Sequence, residues 1–167
     1  MHMPSRIAAL AADAIAALTA ASKTIVTAES CTGGLIAGAL TSISGSSQAV
    51  YGGFVTYANA AKVAMIGVPE KLIASHGAVS REVAIAMADG ARLTSGADYA
   101  IAVTGIAGPN GGSEQKPVGL VHFACAGPHG TWHIERRFGA IGRDEVREET
   151  VVAALELVLE TFGHGPR

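Results

Sequence analysis

Charge is scarce in this 167-residue chain: Asp, Glu, Lys and Arg supply only 16% of it, and the formal net charge is -2. So thin and balanced a charge leaves no basic stripe to neutralise phosphates, which excludes an electrostatic nucleic-acid surface, while an apolar share of 49% excludes a disordered chain. Cysteine is scarcer still. Cys31 and Cys125 stand far apart with no CxxC, so neither a zinc knot nor a disulfide scaffold is expected, and a reducing cytoplasm is the expected compartment. Long apolar runs are missing too. The most alanine-rich stretch, Ile7 to Leu18, is flanked by Arg6 and interrupted by Asp13, well short of the ~18 residues of a membrane span. Of the six histidines, His2, His76, His122, His129, His133 and His164, only His129 and His133 have H-x-x-x-H spacing, and Pro128 with Gly130 puts that pair in a turn; no metal site is expected. Neither a Walker A sequence nor G-x-G-x-x-G after a strand is present, which speaks against a bound nucleoside triphosphate or a Rossmann cofactor.

What is there suits one domain over residues 1–167, a length that allows a sizeable core. Ile7, Leu10, Ala11, Ala14, Ile15 and Leu18 recur at helical spacing and predict a helix from Ser5 to Ala21. Further helices are predicted from Gly33-Gly34 to Leu40, from Asn59 as a cap through Lys62, from Pro69 to Ser75, from Ser80 to Thr94 and from Asp144 to Phe162. Strands are predicted at Thr24–Ala28, Gly52–Tyr57, Tyr99–Thr104, Val118–Ala126 and Thr131–Phe138, the last two as a hairpin across which His122 and His133 face each other in a structural role. The economical architecture is a three-layer α/β/α fold around a largely buried mixed sheet, with the chemistry in loops at strand ends.

Those loops hold the reactive side chains. Thr27–Gly34 (TAESCTGG) leaves the first strand, Gly45–Ser47 precedes the second, Tyr57–Lys62 (YANAAK) follows it, and Thr104–Gly108 (TGIAG) leaves the third. A hydroxyl becomes a nucleophile when a base takes its proton, and a desolvated lysine serves because burial lowers its pKa. Serine, lysine and tyrosine are therefore the constellation to test first. Cys31, just before a helix N-terminus that favours a thiolate, is the rival nucleophile, and a small buried cysteine is its bland alternative. Glycines at 33, 34, 105, 108, 111 and 112 either serve tight turns or bring backbone N–H groups against an anion. Glu29 either anchors a ligand or orients its own loop, and Arg143 reaches a phosphate or carboxylate.

These segments, together with Gly53–Asn59 (GFVTYAN), His76–Ser80 (HGAVS), Thr104–Ser113 (TGIAGPNGGS) and Lys116–Gly119 (KPVG), closely resemble the C-terminal domain family of CinA, the competence/damage-inducible protein, over residues 5 to 162. Stand-alone members of that family are nicotinamide mononucleotide deamidases. The resemblance implies a cytoplasmic amidohydrolase without metal or other cofactor, often a homodimer or higher homo-oligomer, acting on a small pyridine nucleotide in salvage and contacting neither nucleic acid nor membrane. It implies a catalytic serine at Ser47, a supporting tyrosine at Tyr57 and a lysine base at Lys62, with ligand or oxyanion contacts at Ser30, Thr32, Thr104, Gly105 and Arg143. Oxyanion donors are sought in the Gly45–Ser47 turn, Ser30 or Thr104. Gln48 and Gly52 depart from many relatives and are expected at the mouth of the site. The alternative reading is a non-catalytic nucleotide-binding regulatory module; a cysteine amidase acting through Cys31 is the third.

Overall fold

A computed structural model describes residues 2–163, so His164 lies outside the described residues. Five strands form one mixed sheet in the order β2-β1-β3-β4-β5, built from β1 (Ile25–Glu29), β2 (Val50–Val55), β3 (Tyr99–Gly105), β4 (Leu120–Gly127) and β5 (Gly130–Arg137). β1 pairs parallel with β2 and β3, whereas β3 with β4 and β4 with β5 are antiparallel. Every residue of β1 and β4 is buried, which only strands covered on both faces achieve.

Alternation along the central strands assigns the two faces. Ile25, Ile101, Val103, Val121 and Phe123 point to one side, against α1 (Ser5–Ala20), α2 (Leu35–Thr41) and α6 (Arg143–Gly163). Val26, Ala28, Ala100, Ala102, Ala124 and Ala126 point to the other, against α5 (Arg81–Ser95) and the end of α3 (Asn59–Ile66), with α4 (Glu70–His76) packed on α5. The bulky face supplies most of the hydrophobic stabilisation, about 1.5–3 kcal/mol for each fully buried side chain such as Phe123 or Leu155. The alanine face lets α5 settle close to the sheet.

Most boundaries lie within a residue or two of the sequence expectation, and three of the differences bear on the site. β2 begins at Val50 and ends at Val55, two residues early, so Thr56 and Tyr57 have left the strand. β4 begins at Leu120 because Gly119, at φ +89°, turns the chain and donates its N–H to the Ile106 carbonyl. Asn59 is the first residue of α3 and makes no capping bond; Ala58 precedes it in extended conformation. Ser80 does cap α5, accepting from the Val83 N–H at 3.2 Å.

Because β1, β2 and β3 run parallel, their carboxyl ends lie together. One end of the sheet therefore receives Ser30, Thr56 with Tyr57, and the Gly105 loop at once.

Candidate active site

A cavity of about 290 Å³ opens at that end, lined among others by Ser30, Cys31, Tyr57, Asn59, Lys62, Thr104 and Arg143 and by the glycine loop from Gly105 to Gly111. Lys62 is its least ordinary wall. The residue is 1% exposed, and no carboxylate pairs with its ammonium nitrogen among the described residues. Nζ lies 3.0 Å from Ser30 Oγ, 2.8 Å from the Thr56 carbonyl and 3.3 Å from the Tyr57 carbonyl. Burial lowers its pKa below the ordinary lysine value, Cys31 opposing weakly. A neutral amine has two N–H bonds and one lone pair. Two carbonyls can only accept, so in the neutral form they take the two N–H bonds and leave the lone pair facing the Ser30 hydroxyl.

The turn that carries Ser30 is held from several sides. Ser30 N–H continues the ladder to the Val103 carbonyl at 3.1 Å. Glu29 is fully buried and accepts from Thr32 Oγ1 at 2.6 Å and from the N–H groups of Gly34, Ile36 and Ala37 at 3.2, 2.8 and 3.0 Å. Its carboxylate is thus consumed in fixing the start of α2, the loop-orienting alternative of the sequence reading. Arg147, on α6, donates to the Cys31 and Thr32 carbonyls.

Several expected site residues fall elsewhere. Ser47 sits in the 3-10 turn Ser46–Gln48 before β2, while Lys62 follows its carboxyl end. The length of β2 separates these ends, on the order of 20 Å at about 3.3 Å per residue, so Ser47 cannot share a proton with Lys62. The Gly45–Ser47 turn is excluded as an oxyanion donor by the same distance, and neither Gln48 nor Gly52 lines the cavity. Thr32 is buried outside the cavity with its hydroxyl committed to Glu29. Thr104 does line the cavity, but its hydroxyl proton goes to the Ala78 carbonyl at 2.8 Å, which leaves it an acceptor only. Tyr57 contributes a backbone carbonyl to Lys62, and its phenol, in a residue 62% exposed, accepts from Arg143 at the rim at 3.1 Å. Arg143 also donates to the Gly108 carbonyl at 2.8 Å and so spans the mouth from α6. The Cys31 thiol is pushed up to about 12 by burial, which keeps it protonated, the small buried cysteine of the sequence reading rather than its rival thiolate.

Sequence reasoning missed the Ser30–Lys62 pair because thirty-two residues and a strand crossover separate them. Arg147 carried no motif signal either. His122 and His133 do meet, Nδ1 to Nε2 at 2.9 Å, but Glu135 lies 3.7 Å from His122, so the hairpin pair has the carboxylate that the sequence did not advertise.

Charge and backbone polarity complete the cavity. Its lining contains Lys62 and Arg143 and no Asp or Glu. The N–H groups of Ala107, Gly108, Asn110 and Gly111 find no acceptor among the described residues, and Ala107 and Gly108 are buried. Unpaired donors beside an arginine make a surface suited to an anion. No group of three or more His, Cys, Asp or Glu among the described residues has the arrangement of a metal site.

Fold and site together define a three-layer α/β domain with a polar cavity at the carboxyl ends of its parallel strands. The chain belongs to the CinA C-terminal domain family, whose model matches residues 7–162. It is 53% identical over 150 residues to a CinA-like protein from Synechococcus sp. strain RCC307, covering 89% of this chain and 36% of that protein. The chain thus spans about a third of the length of such relatives. It is 49% identical over 146 residues to the nicotinamide-nucleotide amidohydrolase PncC of Escherichia coli K12, covering 87% of this chain and 88% of PncC. The crystal structure of the competence/damage inducible protein CihA from Agrobacterium tumefaciens superposes with a TM-score of 0.95 at 52% identity, covering 98% of this chain and 99% of that one.

Proposed function

We propose that this chain hydrolyses nicotinamide mononucleotide to nicotinic acid mononucleotide and ammonia, with Ser30 as nucleophile and Lys62 as its base. The observation that carries this reading is the buried Lys62 Nζ held 3.0 Å from Ser30 Oγ by two backbone carbonyls. The likeness to PncC over nearly the whole of both chains supports the substrate.

In this mechanism Lys62 takes the Ser30 proton on its lone pair while Oγ bonds to the carboxamide carbon. Lys62 then gives that proton to the departing nitrogen, the C–N bond breaks and ammonia leaves. Water attacks the resulting ester with Lys62 again as base, and the carboxylate product is released with Ser30 restored. Arg143 and the free N–H groups of the glycine loop hold the 5'-phosphate, and the exposed Tyr57 ring faces the pyridinium at the rim. Tyr57 acts on Lys62 through its carbonyl.

Ammonia release and single-turnover kinetics test the assignment. Ser30→Ala and Lys62→Met should each lower turnover by at least about 10³-fold, with no further loss in the double variant, because the two act as a unit. Ser47→Ala and Cys31→Ala should stay within a few-fold of the parent. Collapse in Ser47→Ala with activity retained in Ser30→Ala overturns the nucleophile. Absence of ammonia with intact nucleotide binding favours the regulatory module instead.

A further inference from the structure

The tetrahedral intermediate formed on Ser30 needs a donor at its oxyanion, and the donors first expected are spent or remote. Ser30 N–H bonds the Val103 carbonyl, the Thr104 hydroxyl bonds the Ala78 carbonyl, and the Gly45–Ser47 turn lies at the other end of the sheet. Along the turn itself, the N–H groups of Gly33, Gly34, Leu35, Ile36 and Ala37 all have acceptors. Those of Cys31 and Thr32 have no acceptor in another of the described residues, the Cys31 N–H meeting only its own thiol, and of the two only Cys31 lines the cavity. An N–H that is buried, without an acceptor beyond its own residue and directly after the nucleophile is placed where negative charge develops.

The carbonyl side of the same residues is not free. Arg147 Nε donates to the Cys31 carbonyl at 3.1 Å and its Nη2 to the Thr32 carbonyl at 3.3 Å. One planar guanidinium thus fixes the two successive peptide planes that follow the Cys31 N–H, whose own plane is held on its other side by the Gly33 N–H donating to the Ser30 carbonyl at 3.1 Å. The lining cation Arg143 has no such contact; Arg147 lies outside the cavity, across the turn.

We propose that the Cys31 backbone N–H is the oxyanion donor and that Arg147 is the positioning residue that aims it. This rests on Ser30 being the nucleophile. Arg147 touches no reacting atom, so its loss misdirects a donor without removing the nucleophile, the base or the phosphate site. The thiol of Cys31 takes no part, and Cys31→Ala keeps the N–H.

The test compares Arg147→Met and Arg147→Lys with the parent in two assays: steady-state deamidation of nicotinamide mononucleotide across pH, and the rate at which a fluorophosphonate modifies Ser30. The phosphonyl oxygen of that probe enters the oxyanion position whatever the natural substrate is. Arg147→Met should lower kcat and the probe rate together, by about 10- to 100-fold, below the 10²- to 10³-fold loss that follows removal of a donor outright. KM should move by less than about threefold, and the pH midpoint set by Lys62 should stay in place. Arg147→Lys, which keeps the charge but only one bond at a time, should fall between, and it carries the test if the methionine variant does not fold. Unchanged kcat and probe rate in either folded variant, or a raised KM at constant kcat, overturns the proposal. A parent protein that releases ammonia normally but is never labelled at Ser30 removes the nucleophile reading, and this inference with it. Labelling of the parent and of both variants at equal rates removes this inference alone.

Discussion

At the residue scale, Lys62 decides what the site can do, because burial without a carboxylate partner disfavours its charged form. Its folded-state pKa lies below the unfolded value, so between the two the unfolded chain binds the extra proton and stability rises with pH. Urea denaturation should therefore show the parent gaining stability from the lowered Lys62 pKa up to about 10.5, and Lys62→Met should lack that gain. kcat/KM should rise through the same lowered midpoint; a flat profile from pH 5 to 9 in a protein whose stability does follow Lys62 would deny it the role of base. The His122–His133 pair obeys the same sign. Burial lowers both imidazoles, and their direct N···N bond needs one unprotonated nitrogen as acceptor. Stability should therefore fall as pH drops below about 6.5, and a His122→Asn/His133→Gln double variant should show a flatter urea midpoint between pH 5 and 8.

At the scale of elements, α5 packs closely on its neighbours through small residues. Gly90 of α5 lies against the end of α3, where an added Cβ would overlap the Ile66 carbonyl oxygen. Helix propensity alone favours Gly90→Ala by about 1 kcal/mol. The clash is with backbone, so the overlap should win, with a net destabilisation of about 1–3 kcal/mol read from urea or thermal unfolding. A stabilised Gly90→Ala protein would show that α5 can slide without cost. The same packing fixes the Ala78–Val79 wall of the cavity, since Ser80 caps α5 and donates to the Gly77 carbonyl at 2.8 Å.

At the scale of the molecule, three parallel strands bring Ser30, Lys62 and the glycine loop to one end of the sheet, and Arg143 joins them from α6. If phosphate binding positions the amide, nicotinamide mononucleotide should be deamidated at least about 10²-fold faster than the riboside, measured as kcat/KM by ammonia release. Equal values for the two would remove the phosphate role of Arg143 and the loop. The mixed sheet, nearly every element and Lys62 as a residue of the cavity were legible in the sequence, because apolar periodicity, capping residues and glycine turns are local signals that need no partner. Glu29, Ser30, Tyr57, Thr104, Arg143 and the glycine loop were also marked as notable by their neighbours in the chain. Which hydroxyl meets Lys62 was not legible. Ser47 and Ser30 both sit in small-residue turns beside a strand, and only the parallel pairing of β1 with β2 puts the end of one and the start of the other at opposite ends of the sheet. Likewise, a side chain's hydrogen-bond partners are set by the whole packing around it. Tertiary structure alone therefore turned Thr32 and Glu29 inward, committed the Thr104 proton to Ala78, and brought Arg147 from the last helix onto the turn that carries Ser30.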